Sequence, residues 1–349
     1  MVTQTARQPT PIDNLPKAEL HLHLEGSIRS QGAIELAARH GVSLTPEEVA
    51  TRYHYSDFRG FLETFKWVTS FLRDPEDYAL ITRNLAEELA KQNVVYAEIT
   101  ISAGVMLRRT QNVEANFQAI REVAQSVPFS RLRTAWILDA TRQFGHDAAM
   151  EVARWAAKLQ SSGVVAFGMG GDELAFPTVN FRPAFDYARQ QGLHTVCHAG
   201  EIGGPDSVRE AIELLGAERI GHGIAVMRNE ALANSLATTG RVVLENCLTS
   251  NLCTGALAKQ TGNPTASLKD HPLPKFLGLG VPVTLSTDDP GLFNTSLLDE
   301  YSHAASLGLS KEQLLQLAEQ SFVAAFLAPE DKRQMLVDFR AAAKSSGLV

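Results

Sequence analysis

Short runs of β-branched and aliphatic residues recur along the chain. Each is followed by a stretch in which apolar positions return every three or four residues. The runs cover residues 18–22, 94–101, 132–138, 164–167, 194–198, 219–222, 242–245 and 281–286, and helical patterns such as 148–159 and 207–215 lie between them. Alternation of this kind predicts a parallel sheet, because parallel neighbours must be joined by crossovers. Eight strands in one chain with no Pro/Gly/Ser-rich linker predict an α/β (β/α)8 TIM barrel in a single domain over residues 1–349. The rival, an open doubly wound sheet, would carry a Gly-rich turn after its first strand, and none is present.

One connection is longer than a simple crossover needs. Between the first and second runs, Phe58, Phe61, Leu62, Phe65, Val68 and Phe71 recur at helical spacing with Trp67 beside them. This predicts a helical insertion over about residues 30–90 near the barrel mouth. Its aromatics either pack the insertion onto the barrel or line a ligand pocket. Near the other end of the chain, 311–327 and 329–343 read as two helices. Ser310 and Gln313 have the spacing of a capping box at the start of the first.

Composition narrows the classes. The 349 residues are 44% hydrophobic and 20% charged, ordinary for a globular protein. Net charge is −7 without a long basic run, which argues against a nucleic-acid partner. No apolar run reaches the 18 or so residues of a membrane span. Residues 1–11 are polar, without the apolar centre of a signal peptide. Three cysteines, Cys197, Cys247 and Cys253, make an odd count without metal-type spacing and suit a reducing compartment. The cytoplasm is the expected location, and the oligomeric state is left open.

Candidate chemistry falls where a barrel would place it, at the C-terminal ends of strands. His21 and His23 are two apart in an extended segment, so both imidazoles point to one side. The fifth run ends in His198-Ala199-Gly200-Glu201, the sixth in His222, and the eighth leads into Asp288-Asp289. Three histidines and a carboxylate suit zinc, with water completing its shell. Zinc lowers the pKa of such a water to about 7, supplying a nucleophile at neutral pH. His222 is then the candidate to orient the water and take its proton. Glu201 is the candidate general acid, with a raised pKa expected. No lysine ends the fourth run, which argues for one metal rather than two. Glycines 168, 170 and 171 would let backbone approach a flat ligand closely.

The motifs His21-Leu22-His23-Leu24-Glu25-Gly26, Gly171-Asp172-Glu173, His198-Ala199-Gly200-Glu201, Arg219-Ile220-Gly221-His222-Gly223 and Ser286-Thr287-Asp288-Asp289-Pro290 resemble those of the adenosine deaminase family of the amidohydrolase superfamily. The resemblance covers about 15–290. It implies one Zn2+ per chain held by His21, His23, His198 and Asp288. It implies that Glu201 protonates purine N1, that His222 helps deprotonate water, that Asp289 bonds N7 and that the Gly171 backbone holds N3. Hydrolysis at C6 would then release ammonia from a small purine substrate.

Two departures bear on the substrate. Adenosine deaminases proper usually carry Asp where this chain has Glu25, at the residue that meets the ribose 5′-hydroxyl. The family's Cys-Pro-x-Ser-Asn segment reads here Cys247-Leu248-Thr249-Ser250-Asn251, without the proline. Both resemble the bacterial branch with 6-aminodeoxyfutalosine deaminases of menaquinone synthesis, and overlap with adenine deaminases. The resemblance therefore implies an N6-amino purine nucleoside modified on its 5′ side, with adenosine secondary. Adenosine or adenine deamination is the alternative, and cleavage of an amide or ester by the same barrel chemistry is more remote.

Overall fold

A computed structural model describes residues 7–126, 129 and 131–348, so residues 1–6 of the polar leader lie outside the described part. Eight parallel strands run in sequence order around one sheet: β1 (Lys17–His23), β2 (Val94–Ile101), β3 (Arg133–Thr141), β4 (Val164–Gly170), β5 (His194–Ala199), β6 (Arg219–His222), β7 (Val243–Asn246) and β8 (Val283–Leu285). The ring is completed just beyond β8, where Leu22 and Asp288 form a parallel bridge. There the Asp288 N–H donates to the His21 carbonyl at 3.0 Å and the His23 N–H to the Asp288 carbonyl at 2.8 Å. This is the expected TIM barrel, and its closure lies at the candidate site itself.

The strands are buried on both faces, as parallel strands covered by helices must be. Charged residues inside them are therefore paired, hydrogen-bonded or at strand ends. Arg219, buried at the start of β6, is the clearest case. It meets Glu245 at 2.7 Å through Nε, pairs with the buried Glu98, and lies 3.7 Å over the Phe326 ring.

Four helices occupy the long β1–β2 connection: α1 (Ser30–Arg39), α2 (Pro46–Arg52), α3 (Phe58–Thr69) and α4 (Pro75–Lys91). The last is the barrel's own crossover helix and packs beside Val113–Ala124. The first three are the insertion. Phe61 of α3 stacks on Phe293, just past β8, with ring centroids 5.1 Å apart. Tyr55 donates to the Leu292 carbonyl at 2.9 Å and Tyr53 to the Ile28 carbonyl at 2.8 Å. These contacts hold the insertion against the mouth and account for much of its aromatic content.

Ser310 caps the helix Lys311–Ala324 in a full capping box with Gln313. That helix ends three residues before the periodicity suggests. The chain leaves it so that Ala324 can accept from Arg219 and the Phe326 N–H can donate to Glu98. The second helix spans Pro329–Ser345. No helix among the described residues is long and apolar enough to cross a membrane.

Candidate active site

Four imidazoles converge at the C-terminal ends of β1, β5 and β6. His21 lies 4.6 Å from His198 and 5.1 Å from His222, ring centre to ring centre, and His23 lies 5.2 Å from His198. Asp288 reaches them from the β8 end: its Oδ1 is 3.3 Å from both His21 Nε2 and His23 Nε2. Glycine makes this crowding possible. A Cβ on Gly221 would fall 2.6 Å from His21 Cε1, and one on Gly26 would collide with the Asp289 carboxylate. Asp288 and His222 both hold positive φ, 66° and 63°, a conformation a side chain adopts only under tertiary compulsion.

Hydrogen bonds on the far ring nitrogens assign tautomers. His21 Nδ1 is 2.9 Å from Glu245 Oε2, and His198 Nδ1 is 3.2 Å from the Met169 carbonyl. Both partners are acceptors, so both Nδ1 atoms carry protons and the Nε2 atoms can present lone pairs inward. His23 Nε2 and His198 Nε2 face each other at 3.2 Å, and His21 Nε2 is buried without a hydrogen-bond partner. Ring nitrogens crowded together beside a carboxylate fit a bound cation. His21, His198, His222 and Asp288 form one group close enough to hold a metal ion, and His23, Asp288 and Asp289 form another.

His222 differs. The Leu273 N–H donates to His271 Nδ1 at 3.1 Å, which places the His271 proton on Nε2. That nitrogen is 3.2 Å from Asn251 Oδ1, so the Asn251 amide turns its Nδ2 toward His222 Nδ1, 3.0 Å away. A neutral His222 therefore carries its proton on Nε2, 3.6 Å from Glu201 Oε2 and 3.9 Å from Asp288 Oδ2. In this state the ring donates. To accept a proton at Nε2 it would first have to change tautomer.

Burial sets the electrostatics. It holds His23 down at about 4 and His222 at about 3, and His198 well below the ordinary value. Burial opposes charge on His21 too, but Asp288 and Glu245 outweigh it and lift this ring to about 10. A site that draws a proton so strongly has negative charge left for a cation. Burial, with Asp288 and Glu173 nearby, raises Glu201 well above the carboxylate range, as the sequence leads one to expect. Burial and the neighbouring Asp288 do the same to Asp289.

The flanking candidates have distinct settings. Glu25 accepts the Ser102 N–H at 3.0 Å through Oε1, while Oε2 is buried without a partner; burial pushes this carboxyl to about 7. Gly171 has φ of 90° and follows Gly170. The glycine-rich strand end does not serve a ligand throughout, as its sequence had suggested. Gly168 makes room for Asp139, and Gly170 for Asp139 and His198.

Glu245, His271 and Asp139 border the cluster without figuring in the motifs, and Asn251 enters only through the missing proline of its segment. Glu245 and Asp139 sit in or near the last turn of β7 and β3, so the strand-end rule could have flagged them. His271 carries no such signal.

A profile of the adenosine deaminase family matches residues 16–341. The chain belongs to the adenosine deaminase family. It is 39% identical over 333 residues to the aminodeoxyfutalosine deaminase of Streptomyces coelicolor, covering 93% of this chain and 83% of that one. It is 33% identical to an adenosine deaminase of Escherichia coli strain SE11, with 92% and 96% covered. Its fold superposes on the crystal structure of an adenine deaminase from Arthrobacter aurescens with a TM-score of 0.86, at 28% identity and 95% and 99% coverage. The protein is thus an aminohydrolase of the purine deaminase kind, and the imidazole cluster stands at the mouth of a family barrel.

Proposed function

We propose that this aminohydrolase removes ammonia from C6 of 6-aminodeoxyfutalosine, with adenosine as a secondary substrate, and that it uses one zinc ion. The pairwise approach of His21, His23, His198 and Asp288, with the buried carboxyl of Glu201 near the same cluster, carries the reading. A zinc ion in that cluster would lower the pKa of a water it holds toward neutrality. The imidazoles of His21 and His198, fixed by Glu245 and Met169, are in the tautomer that such an ion requires.

The remaining residues meet a purine edge to edge. Glu201, kept protonated by burial, donates to N1 and draws electrons from C6. Asp289, also kept protonated, donates to N7, which can only accept. His222 directs its Nε2 proton at the attacking oxygen and holds it over C6. The Gly171 backbone borders N3. Water adds across the C6–N1 bond, its oxygen to C6 and a proton to N1 by way of Glu201; the C6–N6 bond then breaks and the amino group leaves as ammonia with the water's second proton, giving the 6-oxo compound. The carboxylate of Glu25, with one oxygen unpartnered, is offered to donors beyond the base. A longer side chain at this position than the usual Asp, together with the Streptomyces coelicolor relative, supports a modified 5′ side.

Deamination of aminodeoxyfutalosine, adenosine, methylthioadenosine and adenine, followed in parallel by ultraviolet absorbance, tests the choice. The highest kcat/KM is expected for aminodeoxyfutalosine. Activity on free adenine alone would overturn it in favour of an adenine deaminase. A cytoplasmic enzyme of menaquinone synthesis is the setting this substrate implies.

A further inference from the structure

Glu173 has no task in the reaction above, yet of the Gly171-Asp172-Glu173 motif it is the member whose side chain is buried. Its carboxylate makes four contacts, three with the turn that follows β5 and one with Ser207 in the helix Pro205–Glu213 beyond it. Oε1 accepts from the Gly200 N–H at 2.6 Å and from Ser207 Oγ at 2.5 Å. Oε2 accepts from the Ile202 N–H at 2.9 Å and the Gly203 N–H at 2.7 Å. These donors bracket Glu201 on both sides.

Gln260 grips the same turn from the opposite side. Its Nε2 donates to the Glu201 carbonyl at 2.8 Å and to the Gly203 carbonyl at 2.7 Å. The turn is built around the carboxylate: a Cβ on Gly203 would lie 2.4 Å from Glu173 Oε1, and Gly200 holds φ of 69°. Apolar packing does little to secure the segment that follows Glu173. Leu174, Phe176 and Val179 are 63%, 40% and 52% exposed.

We propose that Glu173 is a positioning residue for the reaction: with Gln260 it clamps residues 200–203, so that the Glu201 carboxyl is presented to the purine ring at a fixed place. The inference rests on the reading of Glu201 as the acid. Three backbone N–H groups gathered on one carboxylate fix the peptide planes on either side of Glu201, and hence its Cα–Cβ direction. Glu173→Gln keeps the shape but turns an amide N–H against donors, which loosens the turn without opening a cavity.

The test is a double-mutant cycle on the zinc-loaded full chain, with adenosine as substrate. Glu173→Gln is expected to lower kcat about 30-fold or more while KM changes less than about threefold. In the Glu201→Gln background the same substitution should change kcat by less than about threefold, because a residue acting through Glu201 has nothing left to position. Effects that multiply, or a Glu173→Gln enzyme with wild-type kcat, would overturn the inference. Should Glu173→Gln fail to fold, Gln260→Ala carries the same cycle, with the same non-additivity expected and multiplying effects overturning it. A wild-type chain that deaminates no 6-aminopurine, or a Glu201→Gln enzyme at full rate, refutes the functional reading and this inference with it.

Discussion

Glu245 offers a test of how the barrel interior prepares the metal site. Its carboxylate is fully buried and faces two groups: it accepts from His21 Nδ1 at 2.9 Å and forms an ion pair with Arg219, whose Nε lies 2.7 Å away. Glu245→Gln keeps the shape and one acceptor oxygen but offers an N–H to the other donor. Losing the partner that fixes a ligand histidine costs about 10–100-fold in metal affinity, or about 1.4–2.8 kcal/mol at about 1.4 kcal/mol per tenfold. Unpairing a buried ion pair costs about 3–5 kcal/mol, and Arg219 still keeps Glu98, so the lower end, about 3 kcal/mol, applies. At about 2–4 °C per kcal/mol for a large domain, Tm of the metal-free protein should fall by about 6–12 °C. Chelator competition measures the first effect and calorimetry the second. Zinc affinity within about threefold of wild type, with Tm unchanged, would refute the relay from Arg219 through Glu245 to His21.

Other consequences follow from the same geometry. Glu201→Gln should lower kcat by about 10²–10⁴-fold, the usual worth of a general acid, while zinc content measured by atomic spectroscopy stays at the wild-type level. Glu25→Asp shortens the side chain behind the unpartnered oxygen, and should raise the kcat/KM ratio of adenosine to aminodeoxyfutalosine by about tenfold; an unchanged ratio removes Glu25 from substrate choice. Glu19 is fully buried, and burial raises it to about 7 despite hydrogen bonds from Thr287. Its folded value lies above its unfolded one, so its contribution is intact below the unfolded value and is lost as pH rises toward and through about 7. In urea melts of the metal-free protein, wild type should lose roughly 3 kcal/mol relative to Glu19→Gln between pH 5 and 8; parallel curves would contradict this.

The barrel was legible because short β-branched and aliphatic runs alternate with helical stretches along the whole chain, and His21, His23, His198, Glu201, His222 and Asp288 stand where strands end. The chain's closure was less so: β1 meets the segment after β8 through the Asp288 backbone, a long-range contact that no local pattern encodes. The helical content of the long β1–β2 connection was legible but not where an insertion would end, since α4 carries the same periodicity as α1 and α3 yet packs as the barrel's crossover helix. The tautomer of His222 was out of reach, because it is set by Leu273 and His271 through Asn251, and such a chain of donors exists only after folding. Glycines 168 and 170 misled for a related reason. A missing side chain signals close approach, but not whether the visitor is a ligand or, as here, Asp139 and His198.

Zinc removal and return tests the central claim most directly. Turnover of a 6-aminopurine nucleoside should fall to background when a chelator strips the protein, and should return in proportion to added zinc, reaching its plateau at one equivalent per chain. Full turnover by the stripped protein, or recovery that requires two equivalents, would contradict a single ion held by His21, His23, His198 and Asp288.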